Sequence, residues 1–290
     1  MTTRLAHTTS GVLEYEEDGP ADGTPVVLLH GFPDGPGTWD AVVSRLPAGL
    51  HTVRPSLRGV GGSVTDPEAR SGQVAALASD VVDLLDALGL DRVLLVGHDW
   101  GARAAHAVAA LAPERLDGLV TLATAYGPRT DLDPQESLDD AAVAWYRYWL
   151  CTDAGAEAFR RDPAALVTWA WRNWSPALEL PESERAAMLR AFDTAEFAET
   201  VVHYYRHGAG AAEGLPRYAE RQGELDTWPA ITVPTTFLVG TADGCETLPA
   251  ARSSAGWFSD SYEVVELDGV GHFVQREAPD AVADAIQARL

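Results

Sequence analysis

The chain of 290 residues contains no lysine: all 21 basic residues are arginine, set against 43 Asp plus Glu, for a formal net charge of −22. The lack of lysine excludes enzymes that work through a lysine Schiff base, pyridoxal-phosphate enzymes among them, and it excludes P-loop NTPases. The acidic balance argues against nucleic acid and anionic membranes as partners, because both repel negative charge.

Strand and helix patterns alternate along the first 125 residues and again near the end of the chain. Strand-like runs lie at 12–17, 25–30, 51–57, 92–97, 116–122, 234–240 and 262–267. Helical patterns lie between them at 71–88, 101–111 and 248–258, and a last one begins at Pro279. The run 92–97 is apolar without alternation, which is typical of a strand buried on both faces. This order predicts an α/β fold, a mostly parallel sheet with helices on both faces.

The middle of the chain has a different character. Runs typical of buried strands disappear between residues 126 and 228, and helical patterns take their place at 137–150, 163–174, 181–192 and 195–206. Five tryptophans and five tyrosines fall between residues 145 and 218. We therefore predict a core made of 1–125 and 229–290, and an aromatic helical insertion at 126–228.

The sharpest motif is Gly97-His98-Asp99-Trp100-Gly101, which directly follows one strand pattern and precedes an alanine-rich helix pattern. A glycine on each side of a central residue is typical of the nucleophile elbow, a sharp strand-to-helix turn that larger side chains would obstruct. The central residue is Asp99, where esterases and lipases have serine. A carboxylate can attack an electrophilic carbon to form an alkyl ester, and a helix N-terminus stabilises its ionised form. Asp99 is the predicted nucleophile.

A second motif, His30-Gly31-Phe32-Pro33, ends the strand pattern at 25–30. Its loop can present the backbone N–H of Phe32 beside that of Trp100, the residue after the predicted nucleophile. Two N–H groups in this arrangement form an oxyanion hole. We predict that Phe32 and Trp100 have this role.

Candidates for the base and the acid follow the last two strand patterns. His272 lies in Gly271-His272-Phe273, and Asp243 follows the strand pattern at 234–240. The order Asp99, Asp243, His272 is the order of nucleophile, acid and base in α/β-hydrolases. We expect His272 to remove a proton from water while Asp243 holds the imidazole and stabilises its charged form. Asp131, soon after an earlier strand pattern, is the rival for the acid.

Together these motifs resemble α/β-hydrolases of the epoxide hydrolase and haloalkane dehalogenase group. The resemblance rests on HGFP, GHDWG, the late Asp243 and GHF, and it covers essentially the whole chain. It implies an α/β-hydrolase fold in which the insertion at 126–228 is a cap domain over the active site. It also implies hydrolysis through the Asp99 ester, with no metal or organic cofactor.

In epoxide hydrolases of this group, cap tyrosines hydrogen-bond to the epoxide oxygen and protonate it as the ring opens. The segment His203-Tyr204-Tyr205-Arg206-His207 resembles one such cap segment. The match implies this role for Tyr205, with Tyr204 as the alternative.

The other cap tyrosine corresponds to the segment 145–150 (WYRYWL). A gapless match implies that Trp149 stands at the position of the family tyrosine, and a small shift of register brings Tyr148 or Tyr146 there instead. A tryptophan at this position could donate its N–H to a leaving halide, with Trp100 as a second wall.

Two further positions distinguish epoxide hydrolases from the dehalogenases of this group. Phe32 follows His30-Gly31, where haloalkane dehalogenases often have a halide-binding Asn, and this favours epoxides. Trp100 follows the nucleophile, where fluoroacetate dehalogenases have an Arg that holds a carboxylate, so a carboxylate substrate is disfavoured, although Arg103 is nearby in sequence. The predicted function is the opening of an epoxide to a diol. Carbon–halogen hydrolysis by the same triad is the alternative, and a catalytically silent binding protein on this fold is the third.

The remaining expectations concern substrate and surroundings. The acidic net charge favours a small neutral substrate, and the aromatic insertion predicts an apolar or aromatic one. No apolar run reaches the roughly 18 residues of a membrane span, and no signal peptide is recognisable at the start, so we expect a cytoplasmic bacterial protein. Cys151 and Cys245 are expected to be free thiols. A homo-oligomer is left open.

Overall fold

The computed structural model describes residues 2–129 and 132–290. This part of the chain forms one sheet of nine strands: β1 (Thr2–Thr8), β2 (Gly11–Asp18), β3 (Thr24–Leu29), β4 (Leu50–Pro55), β5 (Val64–Thr65), β6 (Val93–His98), β7 (Leu116–Leu122), β8 (Thr235–Gly240) and β9 (Tyr262–Leu267). Their spatial order is β1-β2-β4-β3-β6-β7-β8-β9, and β5 pairs with β2. All pairs from β4 to β9 are parallel, whereas the pairs of β2 with β1, β4 and β5 are antiparallel. The predicted mostly parallel sheet is confirmed.

The helices outside the insertion lie between or after the strands: α1 (Asp40–Val43), α2 (Val74–Leu88), α3 (Trp100–Leu111), α11 (Leu248–Arg252), α12 (Val274–Glu277) and α13 (Pro279–Gln287). The helices between β7 and β8 are α4 (Pro134–Val143), α5 (Trp145–Cys151), α6 (Asp153–Arg161), α7 (Pro163–Trp174), α8 (Glu182–Phe192), α9 (Ala195–Gly208) and α10 (Ala219–Leu225). We call α4 to α10 the helical insertion. Short 3₁₀ turns complete the described elements at Pro36–Trp39, Pro67–Ala69, Pro113–Arg115, Pro216–Tyr218 and Ser253–Trp257.

The core lies on both faces of the sheet, because successive side chains of a strand point to opposite faces. In β3, Val27 and Leu29 belong to one hydrophobic cluster together with residues of α2 and α3. Val26 and Leu28 belong to the other cluster, which includes Ile286 of α13. Helices therefore cover both faces, as the continuous apolar runs of β3 and β6 require.

The described helices differ from the predicted ones mainly at their ends. The predicted helix 71–88 begins at Val74 because Gln73 is still extended, and it ends where Gly89 adopts a left-handed conformation with φ 67°. Glycine is the usual residue at such a C-terminal position. Strand β1 and helices α6 and α10 were not predicted, and α6 carries the buried Phe159.

The helical insertion is tied to loops at the carboxyl ends of the parallel strands. The indole N–H of Trp171 donates to the carbonyl of Pro33, after β3, at 2.8 Å. The carbonyl of Trp174 accepts from the N–H of Gly244, after β8, at 3.1 Å and from that of His272, after β9, at 3.0 Å. Helix α7 thereby holds the insertion against the sheet edge where ligands bind in α/β folds. Among the described residues, no helix combines the length and the apolar character that crossing a membrane requires.

Candidate active site

The elbow between β6 and α3 places Asp99 in a strained conformation. Its φ of 50° and ψ of −112° lie in a region that non-glycine residues rarely adopt. A Cβ on Gly97 would collide with the carbonyl of Gly101, and one on Gly101 would collide with the carbonyl of Leu29. Both glycines are therefore required for the turn, as the motif predicted.

The carboxylate of Asp99 is buried between a backbone donor and a histidine. Its Oδ1 accepts a hydrogen bond from the N–H of Phe32 at 2.7 Å, and its Oδ2 lies 3.6 Å from Nε2 of His272. Burial alone would raise the pKa of Asp99, but His272, His98 and the Phe32 N–H outweigh it and hold the pKa below its ordinary value. Asp99 is therefore an ionised carboxylate at neutral pH, the state that a nucleophile needs.

Asp243 holds the other side of the His272 ring. Nδ1 of His272 lies 2.9 Å from Oδ2 and 3.1 Å from Oδ1 of Asp243, and both side chains are fully buried. The N–H groups of Cys245 and Glu246 donate to Oδ1 at 2.7 and 3.0 Å and fix the carboxylate. Burial lowers the pKa of His272, but the charge of Asp243 and further contacts raise it well above the ordinary value. The rival acid, Asp131, lies outside the described residues.

Two tyrosines of the insertion, Tyr205 and Tyr146, line the same cavity as Asp99, and their rings pack edge to face. The Tyr205 hydroxyl accepts a hydrogen bond from the indole N–H of Trp100 at 3.2 Å. The Tyr146 hydroxyl accepts one from Nε of Arg147 at 3.2 Å and lies 3.3 Å from Sγ of Cys245. The two rings are 5.4 Å apart and nearly perpendicular. Burial raises the pKa of both tyrosines well above the ordinary value, so both are protonated at neutral pH.

Comparison with known proteins agrees with this geometry. Residues 24–279 match the family model described as the alpha/beta hydrolase fold. The chain belongs to the α/β-hydrolase family. It is 28% identical to epoxide hydrolase A of Mycobacterium tuberculosis over 98% of this chain and 96% of that protein. It is 29% identical to an epoxide hydrolase of Caballeronia sordidicola, over 96% and 93% of the two chains.

Solved structures give the same result. A Klebsiella pneumoniae protein described as a candidate epoxide hydrolase has a TM-score of 0.91 and 31% identity, over 99% of this chain and 97% of that one. Epoxide hydrolase A of Mycobacterium thermoresistibile has a TM-score of 0.82 and 26% identity, over 100% and 98%. The predicted α/β-hydrolase fold and the predicted relationship to epoxide hydrolases are both confirmed.

The active-site cavity of this α/β-hydrolase has a volume of about 340 Å³. This volume is at the lower end of the range for ligand pockets, roughly 300–1,000 Å³. Asp99 lies in its wall among mainly aromatic and arginine side chains: Trp100, Arg103, Tyr146, Arg147, Tyr148, Cys151, Tyr204, Tyr205, Gly208 and Ala209. Asp99 and the insertion therefore share one cavity.

The remaining predicted residues of the insertion lie at different depths. Tyr204 is buried and stacks on Trp100 with ring centres 4.0 Å apart, and burial raises its pKa to about 12. Tyr148 lines the cavity but is 62% exposed. Trp149 packs on Trp145 and is not among the residues that line the cavity. The gapless match favoured Trp149, but in the structure Tyr146 is the residue that faces Tyr205.

The predicted oxyanion hole is partly visible in this α/β-hydrolase. The Phe32 N–H already binds Oδ1 of Asp99. No hydrogen bond from the backbone N–H of Trp100 to Asp99 is present within residues 2–129 and 132–290. As the first residue of α3, Trp100 has a backbone N–H without an intrahelical partner. Its N–H is therefore available for an oxyanion.

Two histidines of the motifs shape the loops around the site. Nε2 of His98 lies 3.0 Å from the carbonyl of His272, and burial lowers the pKa of His98 to about 3. His98 is thus neutral and donates to that carbonyl, which fixes the loop of the base. Nε2 of His30 accepts a hydrogen bond from the N–H of Leu57 at 2.9 Å. Both histidines therefore hold loops of the site in place.

Sequence reasoning missed Cys245 and Arg147 as site residues. Both cysteines are free, as predicted, but Cys245 is buried beside the triad. Its Sγ lies within 4.8 Å of ligand atoms of Asp99 and His272, a grouping that could hold a metal ion. The position of Asp243, two residues before Cys245, was the one signal available in the sequence. Arg147 was visible only as part of the aromatic segment 145–150.

Proposed function

We propose that the protein hydrolyses an epoxide to a diol through an ester of Asp99, within a helical cap formed by residues 126–228. The observation that carries the proposal is that an ionised carboxylate and two protonated tyrosine hydroxyls line one cavity. The similarity to epoxide hydrolases over nearly the whole chain supports it. The roles of single residues follow from the distances above.

The first step is the opening of the ring. Oδ2 of Asp99 attacks an epoxide carbon, the carbon–oxygen bond of that carbon breaks, and the ring oxygen takes a proton from a tyrosine hydroxyl. The Tyr205 hydroxyl accepts a hydrogen bond from the Trp100 indole N–H, so its proton is free to point at the epoxide. The Tyr146 hydroxyl accepts one from Arg147 and shares another with Sγ of Cys245. We assign the main proton donor to Tyr205, with Tyr146 as its partner. Oδ1, bound to the Phe32 N–H, becomes the carbonyl oxygen of the ester.

The second step is hydrolysis of this ester. His272 takes a proton from water through Nε2, and the resulting hydroxide attacks Cγ of Asp99 while Asp243 stabilises the imidazolium. The negative charge that develops on Oδ1 meets the N–H groups of Phe32 and Trp100. The Cγ–Oδ2 bond then breaks, Oδ2 takes the proton from His272, and the diol is released. The proton that remains on the regenerated Asp99 carboxyl passes to the tyrosinate formed in the first step, which restores both groups. Ester formation removes the negative charge of Asp99 beside His272, which lowers the histidine pKa and favours its action as a base.

The structure offers less support for carbon–halogen hydrolysis. A halide held by two tryptophans needs two free indole N–H groups in the cavity. The Trp100 indole N–H is bound to the Tyr205 hydroxyl, and Trp149 does not line the cavity. The triad is fully connected by hydrogen bonds and short contacts, which argues against a silent binding protein. Epoxide hydrolysis is the function that the site supports best.

The ester intermediate can be tested with an epoxide panel in ¹⁸O-labelled water. In a single turnover the label should enter the Asp99 carboxylate, because water attacks Cγ and the diol keeps an original Asp99 oxygen. Mass spectrometry of the Asp99 peptide and of the diol measures both products. Direct hydration of the epoxide would put the label in the diol at the first turnover and none in the peptide. That outcome would exclude the ester.

Loss of the proton donor should slow ring opening selectively. Tyr205→Phe is expected to reduce the single-turnover rate of ester formation by about 10²–10⁴-fold, the range for a general acid, and to leave ester hydrolysis almost unchanged. Tyr146→Phe should have a smaller effect of the same kind. Tyr126→Phe is a matched control, because it also removes a buried hydroxyl with one hydrogen bond, to Pro229 outside the cavity. An unchanged rate in Tyr205→Phe would transfer the role to Tyr146.

A further inference from the structure

Two arginines, Arg103 of α3 and Arg147 of α5, line the cavity that contains Asp99. Both are half-buried. Most other arginines of the chain have a carboxylate oxygen within 4.0 Å. Among the residues that the structure describes, neither Arg103 nor Arg147 has such a partner. The cavity therefore holds two guanidinium groups that have no carboxylate within ion-pair distance among the described residues.

The other contacts of these arginines do not replace an anion. Arg147 donates through Nε to the Tyr146 hydroxyl, and no side-chain hydrogen bond of Arg103 is found within residues 2–129 and 132–290. The charge of Arg147 acts against that of Arg103. Glu246 attracts both, but it lies more than 4.0 Å from either guanidinium, and its Oε2 is bound by Arg129 at 2.6 Å, which also binds Asp140. Like charges in a partly desolvated cavity are unfavourable until an anion joins them.

The unpaired guanidinium groups of the cavity indicate a ligand with a negative charge. The carboxylate of Asp99 lies 3.6 Å from Nε2 of His272 and forms no ion pair with either arginine, so both guanidinium groups are available to a ligand. Guanidinium groups bind carboxylates through two parallel hydrogen bonds, a geometry that arginine provides and lysine does not. The aromatic residues Trp100, Tyr146, Tyr204 and Tyr205 supply an apolar wall for the rest of the molecule.

We propose that the substrate is an epoxide that carries a carboxylate, and that Arg103 and Arg147 bind this group while Asp99 attacks the ring. This inference rests on the proposed function and adds a charge to the neutral substrate expected from the composition. That expectation came from the net charge of −22, which describes the whole surface. The two cavity arginines are positive although the net charge of the protein is negative. They therefore attract the carboxylate only at short range, and the field of the whole protein does not steer the substrate to the site.

Pairs of substrates that differ only in charge test the proposal on the wild-type enzyme. Suitable pairs are glycidate with glycidamide, and 4-(oxiran-2-yl)benzoate with 4-(oxiran-2-yl)benzamide. In at least one pair, kcat/KM should be about 10- to 100-fold higher for the carboxylate, the factor expected for hydrogen bonds to a charged group. Equal or higher kcat/KM for the amide in both pairs would overturn the proposal.

The variant Arg103→Gln tests the assigned residue. We expect the carboxylate-to-amide ratio of kcat/KM to fall by about 10-fold or more, since one charged partner is lost. An unfolded fraction of the variant lowers kcat/KM for both substrates by the same factor, so it does not change the ratio when both are measured on one preparation. Arg172→Gln, at an exposed position of α7, is the control and should keep the wild-type ratio. An unchanged ratio in Arg103→Gln would overturn the role of Arg103.

A binding experiment separates this inference from the proposed function. Phenylacetate, which has no epoxide, should bind the wild-type protein about 10-fold more tightly than phenylacetamide in calorimetry at fixed ionic strength, and Arg103→Gln should remove this preference. No preference for phenylacetate would overturn the anion site. If no epoxide of either pair is hydrolysed, the proposed function fails, while the phenylacetate result still decides whether the arginines bind a carboxylate.

Discussion

Replacing Asp99 with asparagine is expected to reduce kcat for epoxide hydrolysis by about 10⁴-fold or more, the range for loss of a nucleophile. The amide has nearly the shape of the carboxylate, and its oxygen can still accept the Phe32 N–H. It lacks the negative charge and the nucleophilic oxygen that attack the epoxide carbon. The two tyrosines remain in place, so the loss isolates the covalent step from the protonation of the epoxide. Steady-state diol formation measures it.

Two controls make the Asp99→Asn result specific. Asp260→Asn removes one carboxylate at an exposed position and should keep wild-type kcat. Thermal unfolding of Asp99→Asn should show a folded protein, because the substitution relieves the burial of a charge and introduces no clash. Activity of Asp99→Asn within 10-fold of the wild type would mean that another group attacks the epoxide, and the ester mechanism would be wrong.

The triad could be predicted from the sequence because short motifs determine its geometry. Gly97 and Gly101 mark the elbow, since a Cβ on Gly97 would collide within the turn itself and one on Gly101 would collide with the neighbouring strand β3. The loops of Asp243 and His272 follow strands that run parallel to β6, so their carboxyl ends meet at one edge of the sheet. Local motifs and strand order together predict which three side chains can meet. The distances between their atoms still had to come from the structure.

The residues of the insertion were harder to predict because their positions depend on helix register. Tyr146 and Trp149 are three residues apart on α5, and the face that meets Tyr205 depends on how α5 packs against α9. A sequence match without gaps cannot show which face of α5 is turned towards α9. Tyr205 was easier, because the segment 203–207 resembles its family counterpart. The side-chain environment of Arg147 depends on the same packing, which is why its place in the cavity was not predicted.

Cavity charge and net charge give different information about the substrate. Most acidic side chains of this protein lie on the surface or pair with arginines, whereas Arg103 and Arg147 lack carboxylate partners among the described residues. Composition sums all of these charges and cannot show which ones face the ligand. The charge of the substrate that an enzyme binds is thus better inferred from the few charged groups in its cavity, where screening by water is weakest.

Replacing His272 with glutamine should trap the intermediate. Ring opening requires Asp99 and the tyrosines, so the variant should consume about one equivalent of epoxide and gain the mass of the substrate on the Asp99 peptide. Ester hydrolysis needs Nε2 of His272, which lies 3.6 Å from Oδ2 of Asp99 and has no hydrogen-bond partner among the described residues. Turnover to diol should fall by about 10⁴-fold or more.

Intact-protein mass spectrometry and steady-state diol formation, run on the same samples, test both halves of the His272→Gln prediction. His7→Gln, on the exposed surface of β1, is the control and should form diol at the wild-type rate without a stable adduct. Multiple turnovers at the wild-type rate in His272→Gln would exclude His272 as the base. Loss of diol without any adduct would instead mean that His272 acts in ring opening, by keeping Asp99 ionised. An adduct without diol therefore assigns His272 to ester hydrolysis, and loss of both adduct and diol assigns it to ring opening.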